Sequence, residues 1–438
     1  MLLLSIVLVV LDGAIANVAL PSIALSLHAE AGSTVWVVSA YQLAVLVAIL
    51  PCGALGEIYG ARRVFLIGVA LFTVASAACA FAGNLPLLIL ARFAQGLGAG
   101  AIMALAMMNL RSALPQHMLG PIIGVNAMVI AISAAAGPGI AGIILSVTTW
   151  PWLFAVNIPL GAIILLGGGL LGQTQGVQRK LNAKALLANT LMFILFFCGA
   201  DRIATAPVSG AVLIAAALIC LFVLLRLERN SEAPIIPTDL LATPAFRVSV
   251  IASIFCFCGQ MLSYVALPFY LVHTLHMTPV QAGLYMMPWP AATAIIAPIS
   301  GRLANRFKTA WLCAIGGGLL AVGLLVAALS PPDPRAIAFL VGTVIAGLGF
   351  GLFQTPNNRI LLLSAPKARS GAAGAMQGTA RLLGQTLGGI SMSIIFATLP
   401  LSVALEFAVV MSAGCAAIAS LVSLSRARYE SVAQPETA

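Results

Sequence analysis

Long apolar stretches follow one another along almost the whole chain, and no other feature restricts its possible folds so strongly. Each stretch is close to the roughly 20 residues that an α-helix needs to cross a bilayer. Charged residues make up 7% of the sequence and hydrophobic residues 61%, whereas ordinary soluble domains carry about 25% charged residues. We therefore predict an all-α polytopic membrane protein. Its fourteen candidate spans lie at residues 2–24, 34–54, 63–83, 87–110, 119–146, 152–172, 184–201, 208–227, 247–272, 280–300, 310–329, 336–358, 372–397 and 402–424.

The basic residues fall between the apolar stretches in a pattern that predicts the topology. With both termini inside, 17 of the 21 Lys and Arg residues lie in inner loops or the tail, and the outer loops hold only Arg202 and Arg335. This bias follows the positive-inside rule for an even number of spans. The net charge of +10 therefore indicates topology and not a nucleic-acid partner. We expect a multi-pass protein of the plasma (cell inner) membrane with both termini in the cytoplasm.

Glycine-rich segments occur twice in the chain at a nearly constant spacing. Gly53 matches Gly301, 248 residues later, and segment 96–100 matches segment 347–351 at an offset of 251. Spans one to six then correspond to spans nine to fourteen, and the two spans between them are an insertion. In transporters built from such parallel repeats, the substrate site lies between the halves at mid-depth. The predicted units are an N-terminal six-helix bundle (1–172), two inserted helices with flanking loops (173–246), a C-terminal six-helix bundle (247–424) and a cytoplasmic tail (425–438).

A short charged turn joins the second and third spans. Gly53 and Gly60 allow close backbone approach. Glu57, Arg62 and Arg63 lie where charges can pair with helix ends in one conformation only. We interpret these five residues as a conformational latch on the cytoplasmic face. The alternative is a solvated loop that obeys the positive-inside rule.

Two charged residues lie deep within spans of the first half. Asp12 is about ten residues into the first span, roughly 15 Å from its inner end. Burying an acid there costs about 2.5–3.5 kcal/mol and disfavours its charged form, so a proton could come and go. Arg92 needs a partner, because an isolated buried guanidinium is improbable. We predict that both face a shared cavity, directly or through water, and couple transport to protons; the alternatives are a structural acid and an arginine tied to backbone carbonyls.

Polar and aromatic residues within spans of both halves are candidate substrate contacts, with helix packing as the alternative for each. They are Tyr41, Gln42, Asn126, Gln260, Tyr264, Trp289, Gln354, Asn357 and Arg381. Aromatic walls suit lipophilic cations, whereas Arg381 could attract an anion, so two substrate classes stay open. The eight cysteines lie in or beside apolar stretches, which indicates packing residues rather than a metal site.

Five segments, in order along the chain, resemble motifs of the major facilitator superfamily and of its fourteen-helix drug:H+ antiporters, a group of multidrug and quaternary ammonium compound exporters. They are the first-helix segment 11–21, the loop 53–63, the arginine motif 90–100, the antiporter motif 137–142 and the segment 150–161. The resemblance implies two pseudo-symmetric bundles with fourteen transmembrane helices in a 6+2+6 arrangement.

The antiporter motif implies a bend in the fifth helix that helps the halves to seal against leak, with close packing of small residues as the alternative. Its residues here are Gly137, Pro138, Gly139 and Gly142. The chain departs from the family pattern at Glu57 (usually Asp), at Ala61 (usually basic) and at Pro151 (usually Arg). The tenth span also lacks the acid that some relatives use with divalent cations.

These features together predict proton-coupled efflux of lipophilic, in particular cationic, drugs or biocides by alternating access. An exporter of an endogenous anionic or zwitterionic metabolite is the alternative, and a non-transporting membrane scaffold or sensor is the third. We do not expect an enzyme, since zinc-ligand spacing, a phosphate loop and a nucleophile elbow are all missing from the sequence. The expected partners are a lipophilic small molecule, protons and the lipid bilayer; we expect a monomer, no metal, and no cofactor beyond the proton gradient.

Overall fold

The structure is a computed structural model of the 438-residue chain. It describes residues 1–29, 31–34, 36–113, 115–172, 176, 182–203, 206–229, 231, 234–275, 277, 284–329 and 337–428. Within these ranges the regular elements are α-helices and short 3₁₀ turns, without a β-strand. Arg335, the start of the tenth predicted span and most of the predicted tail lie outside the described residues.

Long helices make up nearly all of the described chain. The first half contains α1 (Leu2–Ser26), α2 (Trp36–Tyr59), α3 (Ala61–Ala80), α4 (Leu85–Ala113), α5 (Gln116–Val147) and α6 (Pro151–Gly169). The inserted helices are α7 (Ala183–Arg202) and α8 (Pro207–Leu227). The second half contains α9 (Pro244–His273), α10 (Pro288–Leu303), α11 (Thr309–Ala328), α12 (Ile337–Leu363), α13 (Ser370–Thr398) and α14 (Leu401–Ser425).

Not every one of these helices is long and apolar enough to count as a membrane span. Ten of them are, within the described residues, and the count is eleven if the two parts of α5, Met118–Ala134 and Gly139–Val147, form one bent span. The apolar part of α1, Leu2–Ala16, is shorter, and α10 has only 16 residues. The all-helical, multi-pass prediction is therefore confirmed, whereas the count of fourteen spans and the domain boundaries stay predictions.

Glycines let helices within each half pack closely, and the same contacts recur in both halves. Gly96 of α4 lies against the backbone of Tyr41 in α2, and Gly347 of α12 lies against the backbone of Trp289 in α10. A Cβ atom at either glycine would overlap a carbonyl oxygen. Trp289 follows Tyr41 by 248 residues, and the two glycines are 251 apart. The helix packing of the two halves therefore follows the offsets of the sequence repeat.

Two further glycine pairs join the halves at one end of the bundle. Gly53 of α2 meets Gly371 of α13, and Gly120 of α5 meets Gly301 of α10. In each pair, a Cβ atom on one glycine would lie within 3 Å of the carbonyl oxygen of the other. We call this the Glu57 end; it holds the helix ends at Tyr59, Ala113, Leu303 and Leu363. The halves are thus closed against each other at the Glu57 end.

The inserted helices form a hairpin at the side of the bundle. α7 and α8 pack on each other at Gly199 and Gly210, and Nδ2 of Asn189 on α7 donates to the carbonyl oxygen of Val47 on α2 at 3.2 Å. Only 17% of the apolar window of α8 is buried inside the protein, so α8 faces mostly outward. A short helix, Thr238–Ala242, then leads into α9.

Candidate functional site: a buried ion pair beside a central chamber

The two deep charges of the first half form a direct ion pair. Nη1 of Arg92 on α4 donates to Oδ2 of Asp12 on α1 at 2.6 Å. The side chains of Arg92 and Asp12 are 0% and 1% exposed. Further hydrogen bonds to such a buried charge pair help to offset the cost of removing it from water.

Neutral donors complete the surroundings of the carboxylate. Nε2 of Gln95 and Nδ2 of Asn157 donate to Oδ1 of Asp12 at 2.9 and 2.6 Å. Gln95 also donates to Oγ of Ser76 at 2.8 Å and accepts from Nη1 of Arg92 at 2.6 Å. The sequence analysis did not predict Ser76, Gln95 or Asn157 as neighbours of the ion pair. The spacing of Gln95, three residues after Arg92 on the same helix face, was the available signal.

An aromatic ring covers the guanidinium of Arg92. Its Cζ lies 4.2 Å from the centroid of the Tyr41 ring and 5.4 Å from that of Phe154. Nε of Arg92 donates to the carbonyl oxygen of Val37 at 3.0 Å. Such ring contacts favour a cation electrostatically, so the aromatic side chains help to hold the buried charge in place.

A central chamber lies between the two halves. Its main part has a volume of about 330 Å³, and a smaller part of about 60 Å³ continues past Met107 and Gly374. Seven of the nine candidate substrate contacts line these two parts: Tyr41, Gln42, Asn126, Gln260, Tyr264, Gln354 and Arg381. That these side chains bind cargo stays a prediction. Among the described residues, no three His, Cys, Asp or Glu side chains are grouped as metal ligands would be.

The other two candidates do not line the chamber, and their predicted placement was wrong. Trp289 is fully buried behind Tyr264, with 5.2 Å between the ring centroids. Nδ2 of Asn357 donates to Oγ of Ser253 at 2.7 Å, and its Oδ1 accepts from Nη1 of Arg426 at 3.2 Å. Both side chains therefore pack inside the second half.

Some chamber residues were not predicted, although the sequence repeat points to them. Gln377 lines the smaller part of the chamber and follows Asn126 by 251 residues. Met103 lines both parts and precedes Gln354 by the same offset. Applying the repeat to each candidate would have identified these side chains.

The ion pair itself lies behind the chamber wall. Neither Asp12 nor Arg92 lines the chamber, whereas the adjacent Gly13 and the covering ring of Tyr41 do. In this conformation the two charges therefore contact each other directly and do not face the cavity, in contrast to the prediction. One side chain, Tyr41, contacts both the pair and the chamber.

Glu57 bridges the halves at the Glu57 end. It accepts from Nη1 of Arg369 and from the backbone N–H of Ala372, both at 2.7 Å. Arg369 also donates from Nε and Nη2 to the carboxylate of Asp239, at 2.8 and 2.9 Å. Burial alone would lower the pKa of Arg369, but the hydrogen bond with Asp239 and the charge of Glu57 outweigh it and raise that pKa above its usual value. The arginine is therefore charged in the closed arrangement.

The other predicted latch residues have different surroundings. Gly60 adopts a positive φ of 91° as it starts α3, a conformation that favours glycine. Arg62 is half-buried and Arg63 exposed, and neither forms an ion pair within the described part of the chain. Glu57 has partners in the second half, Arg369 and Ala372, which the sequence did not single out.

The predicted bend region of α5 contacts α1. The axis of α5 turns by 40° between Met118–Ala134 and Gly139–Val147. A Cβ atom at Gly137 would overlap Ala14 of α1, whereas a Cβ atom at Gly139 or Gly142 would have no atom of another described helix within 4 Å. The side chain of Pro138 lies outside the described residues. Close packing therefore explains Gly137, and the sealing role of the motif stays a prediction.

Comparison with known proteins identifies the family. Residues 2–389 match the model of the Major Facilitator Superfamily. The chain is 40% identical to the uncharacterized transporter YebQ of Escherichia coli, covering 90% of this chain and 87% of that protein. It is 33% identical to the riboflavin transporter RibZ of Clostridioides difficile (88% and 85% covered) and 30% identical to the multidrug resistance protein Stp of Mycobacterium tuberculosis (88% and 73% covered). The chain belongs to the Major Facilitator Superfamily of membrane transporters.

Proposed function

We propose that this transporter exports lipophilic small molecules across the cytoplasmic membrane in exchange for protons. The observation that carries the proposal is the buried Asp12–Arg92 pair, which lies one side chain away from a chamber between two halves. A membrane-embedded ion pair is costly, and proton exchange gives it a function. The names of the relatives, a multidrug resistance protein and a riboflavin transporter, agree with small organic cargo.

Two kinds of contact between the halves support alternating access. In the present conformation the glycine pairs and the Glu57–Arg369 bridge close the Glu57 end. The positive-inside pattern puts this end in the cytoplasm. Opening it requires the loss of these contacts, and cargo then enters the chamber from the cytoplasm.

Proton coupling is expected to act through the ion pair. Protonation of Asp12 removes its negative charge, so that its attraction for Arg92 falls while the neutral donors Gln95 and Asn157 remain. The guanidinium is then free to shift beneath the ring of Tyr41, which also forms part of the chamber wall. Cargo and proton thereby influence the same side chain from opposite faces.

A transport assay with Asp12→Asn tests the proposal. Cells expressing the chain are loaded with cationic, neutral and anionic fluorescent compounds, with and without a protonophore. For any compound that the wild-type protein exports, we expect Asp12→Asn to abolish protonophore-sensitive efflux but to retain exchange of that compound down its own gradient. Asp201→Asn, at the exposed end of α7, is the matched control and should behave like the wild type. Undiminished proton-driven efflux by Asp12→Asn would overturn the proposal.

A further inference from the structure

Among the described residues, Arg381 has neither a carboxylate partner nor an oxygen acceptor, which distinguishes it from the buried Arg92, Arg369 and Arg426. It lies on α13 and lines both parts of the central chamber. Its Nη2 lies 3.6 Å from Sδ of Met103, and its Nε has no hydrogen-bond partner within the described residues. By contrast, Arg92 is paired with Asp12, and Arg369 with Glu57. The guanidinium of Arg381 therefore lines the chamber without an anionic partner among the described residues.

The chamber wall offers no negative charge to balance this cation. Among the described residues that line it, Arg381 is the only charged side chain. The polar members of the wall are otherwise hydroxyl and amide groups, such as those of Gln42, Gln354 and Gln385. An unpaired guanidinium in such surroundings attracts an anion and repels a cation. The electrostatics of the wall therefore disfavour cationic cargo.

The positive charge is also confined to one side of the chamber. The residue equivalent to Arg381 in the first half, 251 positions earlier, is Ile130, which lines the chamber too. A ligand can therefore place an acidic group at α13 and an apolar group at α5. This arrangement orients an amphipathic molecule and does not merely concentrate anions.

Aromatic side chains provide part of the remaining surface. Phe257 and Phe350 meet edge to face with 5.7 Å between their centroids, and both line the main part of the chamber together with Tyr264. Aromatic walls suit flat rings, which can stack or meet edge to face with them. The volume of about 330 Å³ lies at the lower end of the range for small-molecule sites.

We infer that the chamber selects planar aromatic acids, whose anionic group binds the guanidinium of Arg381 while the ring lies against Phe257, Phe350 and Tyr264. This inference rests on the proposed transport function and adds the charge class of its cargo. It favours anionic over cationic cargo. The bound acid would satisfy the donors of Arg381 that are unpaired in the structure.

Three probes with one ring system and different charges test this inference. The purified full chain in lipid nanodiscs is titrated with 9-anthracenecarboxylate, 9-anthracenemethanol and 9-anthracenemethylammonium, and binding is followed by anthracene fluorescence anisotropy. We expect the carboxylate to bind at least about tenfold more tightly than the ammonium compound, the order of magnitude of a charge-assisted hydrogen bond. Equal or tighter binding of the ammonium compound would overturn the inference.

Variants assign the preference to the arginine. We expect Arg381→Gln to abolish the preference by weakening carboxylate binding while the affinity for 9-anthracenemethanol stays within about twofold. Arg381→Lys should keep part of the preference for the carboxylate. This variant also tests the assignment if Arg381→Gln fails to fold. Arg229→Gln, at an exposed arginine that does not line the chamber, is the matched control and should keep all of the preference. Equal weakening of all three probes by Arg381→Gln would contradict the assignment.

A second measurement separates this inference from the transport proposal. Proteoliposomes with an imposed pH gradient are assayed for movement of the carboxylate and ammonium probes. Selective binding of the carboxylate without gradient-driven movement would refute the transport proposal and leave the binding inference standing. Gradient-driven movement of the ammonium probe alone would refute the inference of anion selectivity and leave the transport proposal standing.

Discussion

At the scale of residues, the buried arginines of this chain differ in what satisfies them. Arg92 has a carboxylate and two aromatic rings, and Arg369 has carboxylates from two separate segments. Arg426 is held by neutral groups, among them the side-chain oxygen of Asn357. Because breaking a buried pair leaves an uncompensated charge, each arginine favours the conformation in which its partners are present. Among these three arginines, Arg369 links two other parts of the molecule: Glu57 in the first half and Asp239 in the segment after the α7–α8 hairpin.

Replacement of Arg369 should weaken closure at the Glu57 end. Arg369→Gln removes the ion pair with Glu57 and the link to Asp239, and it leaves the bond from the Ala372 N–H to Glu57 in place. The pair is mostly but not fully buried, so we expect a loss of about 1–2 kcal/mol, equivalent to about a tenfold smaller closed population. The measurement is maleimide labelling of Asn126→Cys in a cysteine-free background, with the reagent added at the Glu57 end; labelling should become faster.

The neighbouring exposed lysine provides the control for this experiment. Lys367→Gln removes the same charge two residues away and should leave the labelling rate as it is in the wild type. Identical rates for both variants would show that the bridge does not hold the closed state.

Residue pairing was predictable only where burial itself demanded a partner. The pairing of Asp12 with Arg92 follows from the cost of two charges within apolar spans. Trp289 and Asn357 were misplaced because lipid-facing and core-facing positions are both apolar in a membrane helix, so hydrophobic periodicity does not reveal the inward face. Arg369 was missed because, in sequence, it resembles every other basic residue of the inner loops.

At the scale of elements, the paired glycines determine how closely the helices of opposite halves approach. Gly53 of α2 faces Gly371 of α13, and Gly120 of α5 faces Gly301 of α10. In a bilayer, helix association depends on such close packing of small residues, since lipid removes the hydrophobic drive between helices. The closed state therefore depends on contacts that a single methyl group would obstruct.

A methyl group at Gly120 should open the Glu57 end. Gly120→Ala places a Cβ atom 2.6 Å from the carbonyl oxygen of Gly301, and overpacking of this kind costs about 1–3 kcal/mol. We expect the distance distribution between spin labels at Met118→Cys and Arg306→Cys to shift to longer values, as measured by double electron–electron resonance. The added Cβ of Gly414→Ala on α14 has no atom of another described helix within 4 Å, so this variant should leave that distribution unchanged. An unchanged distribution in the Gly120 variant would refute the role of the glycine pair.

At the scale of the whole molecule, the two halves share a helix arrangement but differ in their charges. The buried acid and the arginine of the first half correspond to neutral residues in the second, and the chamber arginine of the second corresponds to an apolar residue in the first. The equivalent pairs are Asp12 and Gln260, Arg92 and Thr343, and Ile130 and Arg381. The repeat therefore assigns the proposed proton site to one half and the proposed anion contact to the other.

The topology can be tested across the whole membrane. The positive-inside pattern predicts that Arg63 lies in the cytoplasm and that Asn84, beyond the other end of α3, lies outside. Both residues are exposed. In intact cells, a membrane-impermeant maleimide should label Asn84→Cys but label Arg63→Cys only after permeabilisation. The opposite labelling pattern would reverse the predicted orientation and the direction of transport.

The link between Arg369 and Asp239 has a mechanical consequence. Asp239 lies on the segment that returns from the α7–α8 hairpin, and α8 turns most of its surface outward. A tilt of this hairpin in a thinner or thicker bilayer would pull on the same guanidinium that holds the closed end. Lipid composition would thereby act on the turnover rate through a single side chain, without any contact between lipid and cargo.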